Sequence, residues 1–121
     1  MKKKPLNVET EVRAEMITIK MHADWCPLCK KMGERLTDLR NMFDQRPVLF
    51  VRVDYTNRGT QFHSKMLAEA LGIDEIVRKN KSTGSIVLVD RKGRLQGRLT
   101  ANMSAKEMAL KIEELLIGAK D

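Results

Sequence analysis

The chain has 121 residues, 42% of them hydrophobic and 32% charged, and its formal net charge is +7. The length suits one domain with a buried hydrophobic core, and the composition excludes an intrinsically disordered chain. No run of about 18 apolar residues is present, so we expect no membrane span. The basic residues are spread out and accompany no nucleic-acid-binding motif, so we interpret them as a solvated surface and expect no nucleic-acid partner.

The N-terminal segment is polar, and we predict that residues 1–14 form a lead-in to one domain over residues 15–121. Its three lysines at 2–4 are followed by polar residues rather than an apolar core, which is not the pattern of a signal peptide. We therefore expect a cytoplasmic protein, or a periplasmic one if a leader has been removed. A monomer is expected.

The first predicted strand covers residues 16–22, in which Ile17, Ile19 and Met21 share one face. A helix from Pro27 to about position 43 follows. Proline suits the first helical position because the N–H that it lacks would have no helical partner there. The apolar residues of this helix recur every three or four positions and predict a buried stripe of Leu28, Met32, Leu36, Leu39 and Phe43.

The middle of the chain predicts a second strand and a second helix. A nearly continuous apolar run over residues 47–54 is typical of a central parallel strand covered on both faces. A helix over residues 60–71 is predicted to bury four apolar residues, Met66, Leu67, Ala70 and Leu71. Residues 73–81 are predicted to form a connector that is anchored by Ile76 and Val77.

The last third of the chain predicts a hairpin and a closing helix. A buried strand over residues 85–89 is joined by a turn at 90–93 to an antiparallel strand over 94–100. Ser104 and Glu107 match a helix capping box. The helix behind it carries an apolar stripe of Met108, Ile112, Leu115 and Leu116. The whole order predicts an α/β fold, with a mixed sheet and helices on both of its faces.

The two cysteines, Cys26 and Cys29, lie where the first strand gives way to the first helix. The free N–H groups and the positive dipole end of a helix N-terminus favour a thiolate on Cys26. Cys29 comes one helical turn later, so the pair can close a disulfide or reopen one. Trp25, the only tryptophan, precedes the pair and is a candidate apolar platform for a substrate.

The segment Trp-Cys-Pro-Leu-Cys-Lys at residues 25–30, in this order of elements, resembles the thioredoxin superfamily. The resemblance covers about residues 15–118, and the hairpin over 86–93 is similar to the family's final strand pair. It implies the thioredoxin fold, in which helices flank both faces of a central mixed sheet. The Cys-Pro-x-Cys centre is more similar to membrane-associated and periplasmic thiol-disulfide proteins than to the Cys-Gly-Pro-Cys of cytosolic thioredoxin.

The resemblance implies a thiol-disulfide oxidoreductase that reduces protein disulfides. Cys26 would attack the substrate disulfide, and Cys29 would resolve the mixed disulfide. No bound cofactor or metal is needed, and the partners would be protein dithiol or disulfide substrates and a reductase. Pro27 would flank the site, and Lys30 would either add positive potential near the sulfurs or be an ordinary exposed lysine.

Three positions depart from the family pattern. Gly84 stands where the family has a cis-proline that keeps metal away from the sulfurs, and Thr83 before it would still offer backbone groups to a bound peptide. Lys20 replaces a buried acid six residues before the first cysteine. We favour the interpretation that Lys20 extends from the strand end to solvent over a proton-handling role. His22 takes a place often held by an aromatic residue.

Several alternatives stay open at this point. The fold could serve as a non-catalytic binding module, or hold a metal or cluster between two chains. A zinc site of Cys26, Cys29, His22 and His63 would lack the second close-spaced ligand pair of most structural zinc sites. The cysteines could also be a chance pair in the core. A protein that binds nucleic acid or a membrane surface would show salt-dependent retention on DNA or anionic lipid.

Overall fold

The computed structural model describes residues 14–119, so the predicted lead-in lies, apart from Ala14, outside the described residues. The strands are β1 (Met16–His22), β2 (Val48–Asp54), β3 (Ser85–Asp90) and β4 (Leu95–Thr100). The helices are α1 (Pro27–Met42), α2 (Arg58–Leu71), α3 (Asp74–Lys79) and α4 (Ala105–Ala119). Within residues 14–119, no helix is long and apolar enough to cross a membrane.

The strands form one mixed sheet in the order β2-β1-β3-β4. β1 pairs in parallel with β2 and antiparallel with β3, and β3 pairs antiparallel with β4. The prediction that residues 47–54 form a central strand is wrong for the described sheet, because β2 is its outer strand and only Val53 is buried. Backbone hydrogen bonds set the lateral position of a strand, and apolar composition alone does not report them.

Helices cover both faces of the sheet, as the order of elements predicts. On one face, the apolar stripes of α1 and α4 meet and bury Met32, Leu39, Met108 and Ile112. On the other face, α2 and α3 pack against Ile19 and Met21 of β1. β1 therefore lies between two apolar layers, and the residues at its C-terminal end lie at the junction with α1.

The face of α2 that packs on the sheet is only partly the predicted one, because Leu71 is half-buried against the core as predicted but the other three residues are exposed. Met66 and Leu67 are 53% and 42% exposed, and Ala70 is exposed, whereas Ser64 and Ala68 are buried. The short side chains at 64 and 68 let α2 lie close to the sheet, and Ser64 Oγ accepts a hydrogen bond from the Asp54 N–H at 2.8 Å. Close packing and this hydrogen bond, rather than hydrophobicity, select the inward face.

Two further local differences from the sequence predictions are present. Leu28 was predicted to be buried in the α1 stripe, but it is 48% exposed, because it lies in the first turn of α1 beside the cysteines. The predicted connector forms the short helix α3, with Asp74 and Glu75 in its first turn and basic residues in its last. These charges complement the helix dipole, and Val77 anchors the helix in the core as predicted.

The turn between β3 and β4 and the N-terminal cap of α4 form as the sequence predicts. Gly93 takes a φ of +82° in the β3–β4 turn, where its N–H donates to the Asp90 carbonyl oxygen at 3.0 Å. The capping box at α4 is confirmed, since the Ser104 N–H donates to Glu107 Oε1 at 2.8 Å. In return, the Glu107 N–H donates to Ser104 Oγ at 3.1 Å.

Candidate active site

The two cysteines meet at the N-terminus of α1. Cys26 is the residue before the first helical position, and its Sγ accepts a hydrogen bond from the Cys29 N–H at 3.3 Å. The Cys29 thiol donates to the carbonyl oxygen of Met21 on β1 at 3.6 Å. Both are free thiols with only 3% and 2% of their surface exposed. The strand-to-helix junction thus places a dithiol in a mostly buried position.

The surroundings move the pKa values of the two thiols in opposite directions. Burial opposes ionisation of Cys26, but hydrogen bonds from the side chains of Cys29 and Thr83 and from backbone N–H groups outweigh it and lower the Cys26 pKa. Burial, with the hydrogen bond to Cys26, raises the pKa of Cys29. Cys26 is therefore the thiol that ionises first, as a nucleophile must.

Gly84 packs directly against the first turn of α1. Its φ is +85°, and its N–H donates to the Met21 carbonyl oxygen at 2.8 Å. A Cβ atom at this position would come 3.4 Å from Cys26 Sγ. The described residues contain no cis peptide bond, and proline could not adopt this φ. The close approach of backbone to sulfur here depends on glycine.

Thr83 contributes a group that the sequence did not reveal. The resemblance assigned it a role through its backbone, whereas its side chain also acts on Cys26 and lowers the pKa of that thiol. The sequence alone does not predict this proximity. The segment before β3 and the start of α1 are far apart in the chain and meet only when the sheet is assembled.

Lys20 does not extend to solvent, so the favoured sequence interpretation is wrong. Only 5% of its surface is exposed, because β1 is covered on this face by α1. Its Nζ lies 3.1 Å from His22 Nδ1, and His22 Nε2 lies 2.9 Å from Asp24 Oδ1. Asp24, which sequence analysis did not select, is 76% exposed at its side chain. The three side chains run from the interior to the surface.

Trp25 stands at the rim of the site with 61% of its surface exposed. Its Nε1 donates to the Thr56 carbonyl oxygen at 3.1 Å, and the Asp24 N–H donates to Thr56 Oγ1 at 2.9 Å. Pro27 is exposed beside it as the first residue of α1. Lys30 is also exposed and is not among the groups with the largest effects on either thiol pKa.

The residues of the alternative zinc site do not form a cluster. His63 lies on the exposed side of α2, where its ring is 6.1 Å from the ring of Phe62. In the part of the chain that the structure describes, no group of three or more His, Cys, Asp or Glu side chains is placed to share a metal ion. A cavity of about 420 Å³ between α2 and α3 has no cysteine in its wall.

This fold and this site define a class of protein, those with the thioredoxin fold and a Cys-x-x-Cys pair at the start of a helix. The family model for thioredoxin matches residues 2–95. The chain belongs to the thioredoxin family. No curated protein matches the sequence.

Solved structures share the fold at low sequence identity. A thioredoxin-family thiol:disulfide interchange protein from Chlorobium tepidum TLS has a TM-score of 0.61 and 14% identity, over 89% of this chain and 84% of that one. Trxlp from Edwardsiella tarda EIB202 gives 0.55 and 19%, over 84% and 85%. Thioredoxin from Trypanosoma brucei brucei gives 0.56 and 18%, over 95% and 85%. At such identities the likeness establishes the fold.

Proposed function

We propose that this protein is a thiol-disulfide oxidoreductase that reduces protein disulfides through a Cys26–Cys29 couple. The observation that carries the proposal is the dithiol at the start of α1, where the Cys29 N–H donates to Cys26 Sγ and the pKa of Cys26 is lowered. Membership of the thioredoxin family supports it, since thioredoxin-fold proteins are generally thiol-disulfide oxidoreductases.

The reaction proceeds by two thiol-disulfide exchanges. The Cys26 thiolate attacks one sulfur of the substrate disulfide, and the other substrate sulfur leaves as a thiolate. The Cys29 thiolate then attacks Cys26 Sγ, so that the Cys26–Cys29 disulfide forms and the second substrate thiolate leaves. The substrate gains two electrons and takes up two protons. A partner reductase with its own dithiol returns the pair to the reduced state without a bound cofactor.

The residues around the site are suited to binding a protein substrate. Trp25 offers an exposed apolar surface beside Cys26, and Thr56 holds it in place through the Trp25 indole N–H. The half-exposed Thr83 lies at the same end of the sheet as Cys26 and is a candidate contact for a bound peptide. The expected cytoplasmic location and monomeric state stay predictions from the sequence.

Reduction of insulin disulfides, followed by the turbidity of the released B chain with dithiothreitol as reductant, tests the proposal. We expect turnover above the dithiothreitol background, no turnover for Cys26→Ser, and accumulation of a mixed disulfide for Cys29→Ser. A wild-type protein without turnover, or a Cys26→Ser variant as active as wild type, would contradict the proposal and favour a binding module. The reduction potential of the pair then gives the direction of electron flow.

A further inference from the structure

We propose that the cavity between α2 and α3 is a binding site for a small organic anion with an aromatic or aliphatic body. Its volume of about 420 Å³ lies within the roughly 300–1,000 Å³ that is usual for small-molecule sites. No cysteine lies in its wall. The proposal therefore goes beyond the proposed function, and binding in this cavity does not require disulfide exchange.

The inner wall of the cavity is apolar. Val53 of β2, Ala68 of α2 and Val77 of α3 line it, and they are 2%, 1% and 8% exposed. Two aromatic side chains also line the cavity, the half-buried Tyr55 and Phe62, which is 61% exposed. A ligand that covers the Phe62 ring removes apolar surface from water, which favours binding. This wall therefore fits an aromatic or aliphatic group.

The outer part of the cavity carries an excess of positive charge. Its charged residues are all exposed, and they are the basic Arg58, Lys65, Arg78 and Lys81 and the acidic Glu69 and Asp74. None of the four basic side chains forms an ion pair within residues 14–119. By contrast, Lys79 of α3, which does not line the cavity, pairs with Glu75 at 3.2 Å. The basic residues at the cavity thus attract an anion.

The apolar wall and the basic rim together define the class of ligand. An inorganic anion would meet the cations but would leave the apolar wall in water. A neutral apolar compound would cover the wall but would gain nothing from the cations. A small carboxylate, sulfonate or phosphate ester with an apolar body satisfies both. Its anionic group would lie at the exposed rim, where water still solvates it and the cost of desolvating a charge is small.

Tyr55 separates this cavity from the dithiol. It lines the cavity and also packs against the buried cluster of Ala23, Cys26 and Cys29. A ligand in the cavity is therefore one side chain away from the two thiols and contacts neither of them. The cavity is a second site rather than an extension of the dithiol site.

Titration of the reduced, isotope-labelled protein with 1-naphthoate, followed by the chemical shifts of the backbone amides, tests the proposal. We expect a Kd of about 1 mM or tighter, given the small size of this probe. The largest shifts should fall on residues of the cavity wall, such as Ala68 and Val77. The neutral 1-naphthalenemethanol should bind at least about fivefold more weakly, because it has the same rings but no charge to meet the basic rim. Inorganic phosphate should also bind more weakly than 1-naphthoate.

Substitutions at exposed positions separate the two contributions. Phe62→Ala should weaken 1-naphthoate binding at least about fivefold, because it removes an apolar contact. Lys65→Gln combined with Arg78→Gln should weaken 1-naphthoate binding about fivefold and change 1-naphthalenemethanol binding less than about twofold. Leu110→Ala, at a 60% exposed residue of α4, and Lys31→Gln, at an exposed residue of α1, are the matched controls. Each should change the Kd for 1-naphthoate less than about twofold.

Saturable binding at the cavity that Phe62→Ala and the double variant weaken supports the site. The absence of saturable binding, equal affinity for the two naphthyl probes, or wild-type affinity in both of these variants would overturn it. The largest shifts around Trp25 would place the probe at the dithiol and would also overturn it. Loss of insulin reduction with intact 1-naphthoate binding would contradict the proposed function alone, and the reverse result would contradict this site alone.

Discussion

Gly84 lies so close to Leu28 that a Cβ atom added to Gly84 would come 2.5 Å from the Leu28 Cβ atom. The contact joins the segment before β3 to the first turn of α1. It explains why a residue without a side chain stands beside Cys26. The geometry of the dithiol therefore depends on a position that is remote from it in sequence.

Gly84→Ala should destabilise the protein by about 2–4 kcal/mol, because it combines a left-handed φ with an overpacked contact. Gly84→Pro should cost at least as much, because proline cannot take a φ of +85° and would remove the N–H that donates to Met21. Urea unfolding measures both. Gly33→Ala is the matched control, since nothing lies within 4 Å of its added Cβ atom. We expect it to stabilise α1 by about 0.5–1 kcal/mol, and equal effects at the two glycines would contradict the argument.

Thr83→Val should raise the pKa of Cys26, because it removes the side-chain hydroxyl that lowers this pKa. The rate of alkylation by iodoacetamide against pH measures this pKa, and the wild-type midpoint should lie below the free-thiol value of about 8.5. Thr83→Ser keeps the hydroxyl and should retain the wild-type profile. If valine and serine give the same curve, Thr83 acts only through its backbone.

Trp25→Ala should raise KM for a protein disulfide about fivefold, which corresponds to a loss of about 1 kcal/mol of binding free energy. The side chain is largely exposed, so the free energy of unfolding should fall by no more than about 1 kcal/mol, the value of one hydrogen bond. Kinetics with insulin and with a small aromatic disulfide separate the effects. Leu110→Ala, at a 60% exposed residue on α4, is the control and should leave KM unchanged. A Trp25 variant with wild-type KM for insulin would exclude the platform.

Asp90→Asn should reduce the free energy of unfolding by about 1–2 kcal/mol at pH 7. Burial opposes ionisation of Asp90, but hydrogen bonds from the Arg94 and Lys92 N–H groups and from the Arg94 side chain outweigh it and lower the pKa. A lowered folded-state pKa stabilises the fold above the unfolded value of about 3.9, and this contribution is lost as pH falls through the folded value. The difference in the free energy of unfolding between variant and wild type should therefore shrink below about pH 4.

Asp44→Asn, at an exposed loop position, is the control and should change the free energy of unfolding by less than about 0.5 kcal/mol at either pH. A pH-independent difference at Asp90 would contradict the argument.

The order of elements was predictable because its signals are local. The common face of Ile17, Ile19 and Met21 in β1, the stripe of α1 and the capping box of α4 each lie within one segment, and all three are present in the structure. The inward face of α2 was not predictable from hydrophobicity, since Ser64 and Ala68 rather than Met66 and Leu67 pack on the sheet. Close packing between two elements decides that choice, and neither element contains the information alone.

The sequence by itself determined the class of fold and the position of the Cys26–Cys29 pair, because a strand that runs into a helix fixes both cysteines at one helix terminus. Only the tertiary structure decided what surrounds the pair. It buries Lys20 beneath α1 and brings Thr83 and Gly84 against Cys26, across a sheet whose strand order pairs β1 with β3. The physical reason is that thiol pKa values depend on burial and on contacts a few ångströms away, and chain folding rather than sequence proximity sets those distances.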